Sequence, residues 1–582
     1  RSRTWLPVAA AAAGVALLVG TTITAINLAG SPDDPPVTPT PAPTGPDAAL
    51  TSVVNPSDAK GGTLRLLHSG DFDSLDPGDM YLASSWNFSR LYARPLLTYT
   101  GGPGARGGGR LAPDLAMGRG QASADLKTWT YRLRSGLKYE DGTPVTAADV
   151  RYAVARTFAA DVLSLGPGYF RELLDTGDYA GPYEDGGLDG FTGVTTPDEQ
   201  TVVFHLKEPY AEFDHVAAMP QTAPVPQAKD TGAEYENRPF STGPFKVESH
   251  REGKSITLVR NTAWSGDGVR KQLPDRIEVT LNVGGDALDQ QLLAGSADLD
   301  VSGVGLQAQA RTRALADPAV KGNTDSAPTG FLRYIALSTK VAPFDNVHCR
   351  RAVQYAVDRT AIVQTVFGGP QAAEAATSVL PPSVAGRQRF DPYPVGQAKA
   401  REELAACGRP TGFGTRIAIR QGLERDGMLA EVLTRQLGQV GIEAEVEEYP
   451  IPEFYRQYAG RPDAVRGNRL GMIVSAWGAD HPTGLGFLPL LVDGRQIRPT
   501  GNNNLTELND AGINALLDQA ARTADQAARE RLTGELDRKV MESAVMVPLA
   551  FDKALLYRGA RLTNVAVSQV YGMYDYASLG VT

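Results

Sequence analysis

The chain has 582 residues, 42% of them hydrophobic and 21% charged, with a formal net charge of −9. At roughly 150 residues per domain this allows about three or four domain-sized units, and the acidic balance argues against nucleic acid as a partner, since such binding leans on a basic surface. Two cysteines exclude a disulfide scaffold and a zinc site of four thiolates. At the N-terminal end no charged residue lies between Arg3 and Asp33, and Trp5 to Ala29 is an apolar run long enough to cross a bilayer. With Arg1 and Arg3 ahead of it, the 1–30 stretch reads as a secretory signal or a membrane anchor. A lipoprotein signal would carry Cys after Leu28-Ala29-Gly30, but Ser31 stands there, so lipidation of a thiol is absent. The anchor is the preferred reading, with cleavage near Ser31 as the alternative.

Residues 31–57 carry Pro35, Pro36, Pro39, Pro41, Pro43 and Pro46 among Thr and Asp, and are expected to form an extended spacer. Gly62 to Leu67 reads as a first strand, followed by a loop through Leu75-Asp76-Pro77. Gly102, Gly104 and Gly107 match a dinucleotide-binding spacing, but no helix is expected after them, so they read as a surface loop. Trp129, Tyr131 and Leu133 alternate as a half-buried strand, and Thr146 with Asp149 forms a capping box ahead of a helix. Ser241-Thr242-Gly243-Pro244-Phe245 opens a hairpin whose turn is Glu252-Gly253 and which ends at Arg260-Asn261. Gly253-Lys254-Ser255 echoes a phosphate loop, yet Glu248 occupies the upstream glycine position. No Gly-x-Ser-x-Gly elbow or His-Glu-x-x-His motif is present, and the six histidines include no helical i, i+4 pair. Nothing in the spacing specifies catalysis, a cofactor or a metal.

Further on, Asp358 is placed to cap a helix running through Ile362. Ile417 and Ile419 suggest a strand; Leu429, Val432, Leu433, Leu437 and Val440 form one helical stripe ended by Gly441; Ile442, Ala444 and Val446 alternate as the next strand. Strand–helix–strand of this length predicts a parallel pair and an α/β lobe. Met472 to Ala476 is a short apolar strand, and Trp477-Gly478-Ala479-Asp480-His481-Pro482 follows at its carboxyl end, where ligands gather in open α/β sheets.

Four segments in order, LKTWTYRLRSGLKYEDGTPVTAADVRYAV, STGPFKVESHREGKSITLVRN, PFDNVHCRRAVQYAVDR and WGADHP, resemble the bacterial extracellular solute-binding protein family 5, the oligopeptide- and dipeptide-binding components of ABC importers. The resemblance implies an α/β, two-lobed periplasmic-binding-protein-like fold with an extra inserted subdomain in the first lobe. The first lobe is expected over 58–93, 235–330 and 551–582, the inserted subdomain over 94–234 and the second lobe over 331–550. It further implies a non-enzymatic monomer outside the cytoplasmic membrane, anchored or secreted, that captures peptides between closing lobes and delivers them to an ABC permease. Two alternatives are the same fold binding a sugar oligomer, metal chelate or other non-peptide solute, and, remotely, a secreted hydrolase.

In peptide-binding members the Asp matching Asp480 holds the ligand's α-ammonium and the tryptophan matching Trp477 lines the pocket. Ala479 and His481 flank it, and the resemblance places Tyr81, Ala83 and the nearby Trp86 on the first lobe's side. An Asp–ammonium pair in a water-poor cleft is worth about 1.5–3 kcal/mol. The alternatives are that Asp480 only starts the turn before Pro482, and that Trp86 begins a helix reaching Leu91 as a core residue. The family's carboxylate-binding arginine just before the tryptophan is missing, because Val474 occupies that spot; Arg466 and Arg469 lie near it in sequence. Cys349, beginning one helix, and Cys407, ending another, are expected to form a disulfide if the chain is exported, with two buried thiols as the alternative.

Overall fold

A computed structural model describes residues 44–104, 108–184 and 186–582. Thr63–Leu67 lies in a five-stranded sheet ordered Leu299–Asp300, Thr63–Leu67, Arg276–Thr280, Ser255–Arg260 and Phe245–Arg251. Thr63–Leu67 runs parallel to both of its neighbours, so three strands end on the same side. The hairpin read at 243–260 is the opposite edge, Phe245–Arg251 pairing antiparallel with Ser255–Arg260. Its turn holds Gly253 at φ +65°, a conformation glycine adopts without a Cβ clash. Gly253-Lys254-Ser255 is therefore hairpin, not a phosphate loop.

A second, four-stranded sheet orders Gln121–Ala122, Thr128–Arg132, Thr201–His205 and Val194–Asp198. Trp129 and Tyr131 alternate inward on Thr128–Arg132, as the sequence period requires. The Asp149 carboxylate accepts the Thr146 backbone N–H at 2.8 Å and starts helix Ala147–Arg156. Tyr131, Phe204 and Phe213 pack ring to ring beneath this sheet. Their core is continuous with that of the five-stranded sheet.

The third sheet has six strands, in the order Ala373–Ala375, Met546–Tyr557, Thr324–Leu337, Met472–Gly478, Phe413–Arg420 and Ile442–Tyr449. Phe413–Arg420 is parallel to both Ile442–Tyr449 and Met472–Gly478, and helix Glu424–Gly438 makes the crossover with its whole apolar stripe buried. Both faces of this sheet are covered. Leu332, Tyr334, Ala336, Ala418 and Ile473 enter one core, while Ile335, Leu337, Ile417, Ile419, Met472 and Val474 enter the other. Continuous apolar runs in these strands follow from that double burial.

Thr324–Leu337 and Met546–Tyr557 are the long strands that connect the two halves. They pair antiparallel from Thr324 opposite Tyr557 to Ala336 opposite Met546. The register shifts midway: Pro328 pairs with Lys553 and Leu332 with Phe551, so residues 329–331 face Asp552 alone. A bulge bends a strand pair and re-aims its side chains, and Phe331 is thereby left 42% exposed. Cys349 on helix Val347–Ala356 and Cys407 beyond helix Gln397–Ala406 have Cα atoms 5.3 Å apart, and their sulfurs are joined.

One sequence expectation needs correction. The last part of the 31–57 segment is packed on the body instead of extended. Ala48–Thr51 is a helical turn, Ala48, Ala49 and Val54 are buried, and Val54 bridges to Val565. Asp325 Oδ1 accepts the Ala49 N–H at 2.9 Å and Arg558 donates to the Gly45 carbonyl at 2.8 Å. The apolar residues beyond the proline cluster supply the buried surface that the prolines cannot. The 1–30 apolar run, the start of the proline-rich segment and the end of the Gly102–Gly107 stretch, Gly107 included, lie outside the described residues. Among the described residues no helix is long and apolar enough to cross a membrane.

Candidate functional site

The carboxyl ends of two parallel strands, Leu299–Asp300 of the five-stranded sheet and Met472–Gly478 of the six-stranded sheet, meet at one cavity of about 1200 Å³. Ser302 and Val304 reach it just beyond Leu299–Asp300, and Trp477, Ala479 and Asp480 at the end of Met472–Gly478. Arg425 and Met428 enter from the first turns of Glu424–Gly438. Phe331 joins the wall from the bulge, its ring carbons 3.1–3.2 Å from where a Cβ on Gly478 would stand. Any side chain at 478 would have to displace that ring.

Asp480 is the best-defined polar group of the wall. Its Oδ1 accepts the Tyr81 hydroxyl at 2.8 Å and its Oδ2 the Tyr169 hydroxyl at 2.9 Å. Its backbone N–H donates to the Gly486 carbonyl at 3.1 Å, which fixes the loop after the strand. Tyr81 is positioned from its own side: Asp73 Oδ2 accepts the backbone N–H groups of Tyr81 and Leu82 at 2.6 and 2.8 Å. Burial pushes the Asp480 carboxyl up to about 6, against the two tyrosine hydrogen bonds that favour the carboxylate. Asp480 therefore bridges the end of the six-stranded sheet to residues that belong with the other two sheets.

The remaining candidates divide. Ala83 and Ala479 border the cavity, as does Trp477, whose Nε1 donates to the Phe487 carbonyl at 3.1 Å. Trp86 lies in the core and also borders the cavity. It is 8% exposed in the core and its Nε1 donates to the Met80 carbonyl at 2.9 Å, yet it also touches the cavity and meets the Tyr81 ring edge-on. Its helix spans Ala83–Ser89, so Trp86 lies mid-helix and not at the start. His481 borders the cavity, but its ring is 1% exposed and stacks on His215 with centroids 5.1 Å apart. Thr483 Oγ1 is 2.9 Å from His481 Nδ1 and Tyr210 Oη 3.3 Å from Nε2, so the ring serves the interface beside the cavity. Burial pulls His481 down to about 3, which keeps it neutral.

That interface carries further polar contacts. Glu212 Oε1 accepts Arg529 Nε at 2.8 Å, Thr483 Oγ1 donates to the other oxygen, and the Ala211 N–H donates to the Ala521 carbonyl at 2.7 Å. Residues 210–215, just past Thr201–His205, are thus held against helix Gln526–Ser543 and the loop 481–483.

Neither arginine noted near Val474 reaches the cavity. Arg466 pairs with Glu507, and Val474 is buried within its strand. The cations that do border it are Arg311, Arg333, Arg425 and Lys553. These four, with Tyr169, Glu212 and Arg529, were not among the residues the sequence singled out; they converge only through the tertiary fold, and no local pattern marks them.

The model for bacterial extracellular solute-binding proteins, family 5 middle, matches residues 110–498. The glutathione-binding protein GsiB of Escherichia coli O1:K1 / APEC is 26% identical over 446 residues, covering 76% of this chain and 81% of that protein. Among solved structures, the clavulanic acid biosynthesis oligopeptide binding protein 2 is 44% identical with a TM-score of 0.89, covering 93% of this chain and 99% of its own. HbpA2 from Haemophilus parasuis, 20% identical, shares the fold with a TM-score of 0.73 over 90% of this chain and all of its own. The match over 110–498, on a fold whose sheets open onto one shared cavity, makes this chain a member of the bacterial extracellular solute-binding proteins, family 5.

Proposed function

We propose that the protein captures peptides with a free amino terminus in the cavity and hands them to the membrane subunits of an ABC importer. The observation that carries this reading is Asp480. It is a carboxylate at the end of a parallel strand, facing a large cavity, with two tyrosine hydroxyls from the opposite side as its side-chain partners. An entering α-ammonium replaces neutral donors with a charged one, and charge-assisted hydrogen bonds are roughly twice as strong as neutral ones. Exposed Leu82, Phe331, Val304 and Met428 give the cavity apolar wall for side chains. The bulge at 329–331 in the connecting strand pair is the hinge in this reading, and ligand contacts to both sides select the closed form. Two of the relatives, an oligopeptide-binding and a glutathione-binding protein, agree with a peptide ligand. We place the body outside the cytoplasmic membrane, tethered by the 1–30 segment, and acting as a monomer.

Native mass spectrometry of the protein as purified, and after incubation with a mixture of synthetic tri- to pentapeptides, tests the ligand class. Retained masses that fragment into amino-acid ions support it. Retention of a sugar oligomer or a metal chelate, with no peptide held from the mixture, moves the assignment to a non-peptide solute on the same fold.

A further inference from the structure

The loop that carries Asp480 is held from behind the cavity wall by a carboxylate of the other half. Glu212 precedes helix Phe213–Ala217, whose Phe213 and Val216 sit in the core of the five- and four-stranded sheets. Thr483 precedes Leu485 and Phe487, and Arg529 stands on helix Gln526–Ser543 with Leu536; those three apolar residues sit in a core of the six-stranded sheet. Tyr210 packs against both cores. Glu212, Thr483 and Arg529 lie outside the lining of the cavity, so any effect they have on a ligand passes through another residue.

Thr483 Oγ1 is the junction. It donates its one proton to Glu212 and accepts the Gly486 N–H at 3.2 Å, and the Gly486 carbonyl in turn accepts the Asp480 N–H at 3.1 Å. His481 Nδ1, 2.9 Å from the same oxygen, is left the role of donor, because the hydroxyl proton is already on Glu212. Its Nε2 then accepts the Tyr210 hydroxyl at 3.3 Å. The chain crosses from one half to the other at Tyr210–His481, Thr483–Glu212 and Glu212–Arg529, with each proton used once. Arg529 is preset by its own half: Nη1 donates to the Thr523 and Ala524 carbonyls at 2.7 and 3.1 Å, and Nε, at 2.8 Å, is free to take Glu212. Burial pushes the Glu212 carboxyl up, and the Thr483 and Arg529 bonds pull it back toward the charged form. The loop itself has little slack, since a Cβ on Gly484 would strike the Thr533 side chain and one on Gly486 the His481 carbonyl. An ammonium that displaces the two tyrosine hydroxyls from Asp480 leaves the loop joined to the other half through Thr483–Glu212 and His481–Tyr210.

We propose that Glu212, held by Arg529, is a positioning residue for Asp480: as the halves meet, its carboxylate takes the Thr483 hydroxyl and fixes the 480–486 loop with Asp480 turned to the ligand's amino group. The proposal rests on the reading of Asp480 as the ammonium site for its effect on binding; the fixing of the loop is independent of that reading. A carboxylate held in place before the ligand arrives spares the ordering cost of binding, and a bond made only when the halves meet acts mainly on the rate of ligand escape.

Two measurements on the full chain test this, each variant first checked for wild-type circular dichroism. Glu212→Gln keeps the shape but offers one acceptor oxygen where the carboxylate offers two, so Arg529 and Thr483 cannot both be served in place. Thr483→Val removes the hydroxyl, and Thr483→Ser keeps it. Hydrogen exchange read by mass spectrometry, with and without millimolar trialanine, should show the 480–486 loop exchanging about tenfold faster in Glu212→Gln and Thr483→Val, with strand Met472–Gly478 unchanged and Thr483→Ser close to wild type. Calorimetry and stopped-flow should show trialanine binding Glu212→Gln about tenfold more weakly through faster dissociation, N-acetyl-trialanine changing by less than about twofold, and Glu212→Gln adding less than about twofold to the loss in Asp480→Asn. Loop exchange at the wild-type rate in Glu212→Gln under both conditions overturns the proposal. So does an equal loss of trialanine and N-acetyl-trialanine where Asp480→Asn weakens trialanine. Trialanine bound alike by wild type and Asp480→Asn overturns the ammonium reading instead, and the loop's exchange rate then decides the proposal by itself.

Discussion

Replacing Arg529 by methionine removes one partner of the buried Glu212 pair while keeping the apolar volume of the stem. Glu212 is 4% exposed, and of its two oxygens one then loses the 2.8 Å guanidinium contact while the other keeps Thr483. Breaking a buried pair from one side costs about 3–5 kcal/mol, because a charge is left without its counterion. For the about 540 described residues the melting entropy is about 1.1 kcal/mol/K, so the expected loss is about 3–4 °C in apparent Tm. The pH dependence gives the sharper check. Burial already raises the Glu212 carboxyl above its ordinary value, so its charged form is the one that opposes folding. His481, 4.0 Å away, stays neutral across the range because burial holds it at about 3. Losing Arg529 raises Glu212 further, and acidification then neutralises it. Differential scanning calorimetry should give a Tm deficit at pH 7.5 that narrows at pH 5. A deficit below about 1 °C, or one equal at both pH values, refutes the reasoning.

Three further outcomes follow from the same geometry. Because the ligand-free Asp480 carboxyl sits at about 6, a proton competes with an ammonium below that pH; affinity for an amine-bearing ligand should fall about tenfold from pH 7.5 to pH 5, and a flat calorimetric profile would count against it. Reducing the Cys349–Cys407 link, which spans 58 residues of sequence, should lower stability by about 4 kcal/mol in the chain-entropy model; a Cys349→Ser melting curve matching the non-reduced wild type would contradict it. Trp477 borders the cavity, so ligand addition should change tryptophan emission in wild type, with most of the change lost in Trp477→Phe.

Much of this architecture is readable from local pattern. The 245–260 hairpin, the Glu424–Gly438 stripe between two parallel strands and the apolar strand ending at the Asp480 loop are each marked by period and turn residues that a single segment contains. Asp480 was legible because position after a strand is a sequence property. Of its partners, Tyr81 was named only through the family resemblance and Tyr169 not at all, since they lie 399 and 311 residues away along the chain. His481 borders the cavity as its adjacency to Asp480 suggested, while its ring stacks on His215, a contact the sequence does not show. The arginines at 311, 333 and 425 lie in three separate elements, and only the folded cavity brings them to one wall. Composition misled at 44–57, where proline content outweighed three buried apolar residues, Ala48, Ala49 and Val54.

The central claim is that Asp480 holds the amino group of a captured peptide, and calorimetry at pH 7.5 tests it most directly. A peptide retained by the purified protein, or a tripeptide drawn from the mixture, is titrated in free-amine and N-acetylated forms into wild type and Asp480→Ala. The account predicts strong preference for the free amine in wild type and loss of that preference, by about tenfold or more, in the variant. Equal binding of the free-amine peptide by both proteins would contradict it.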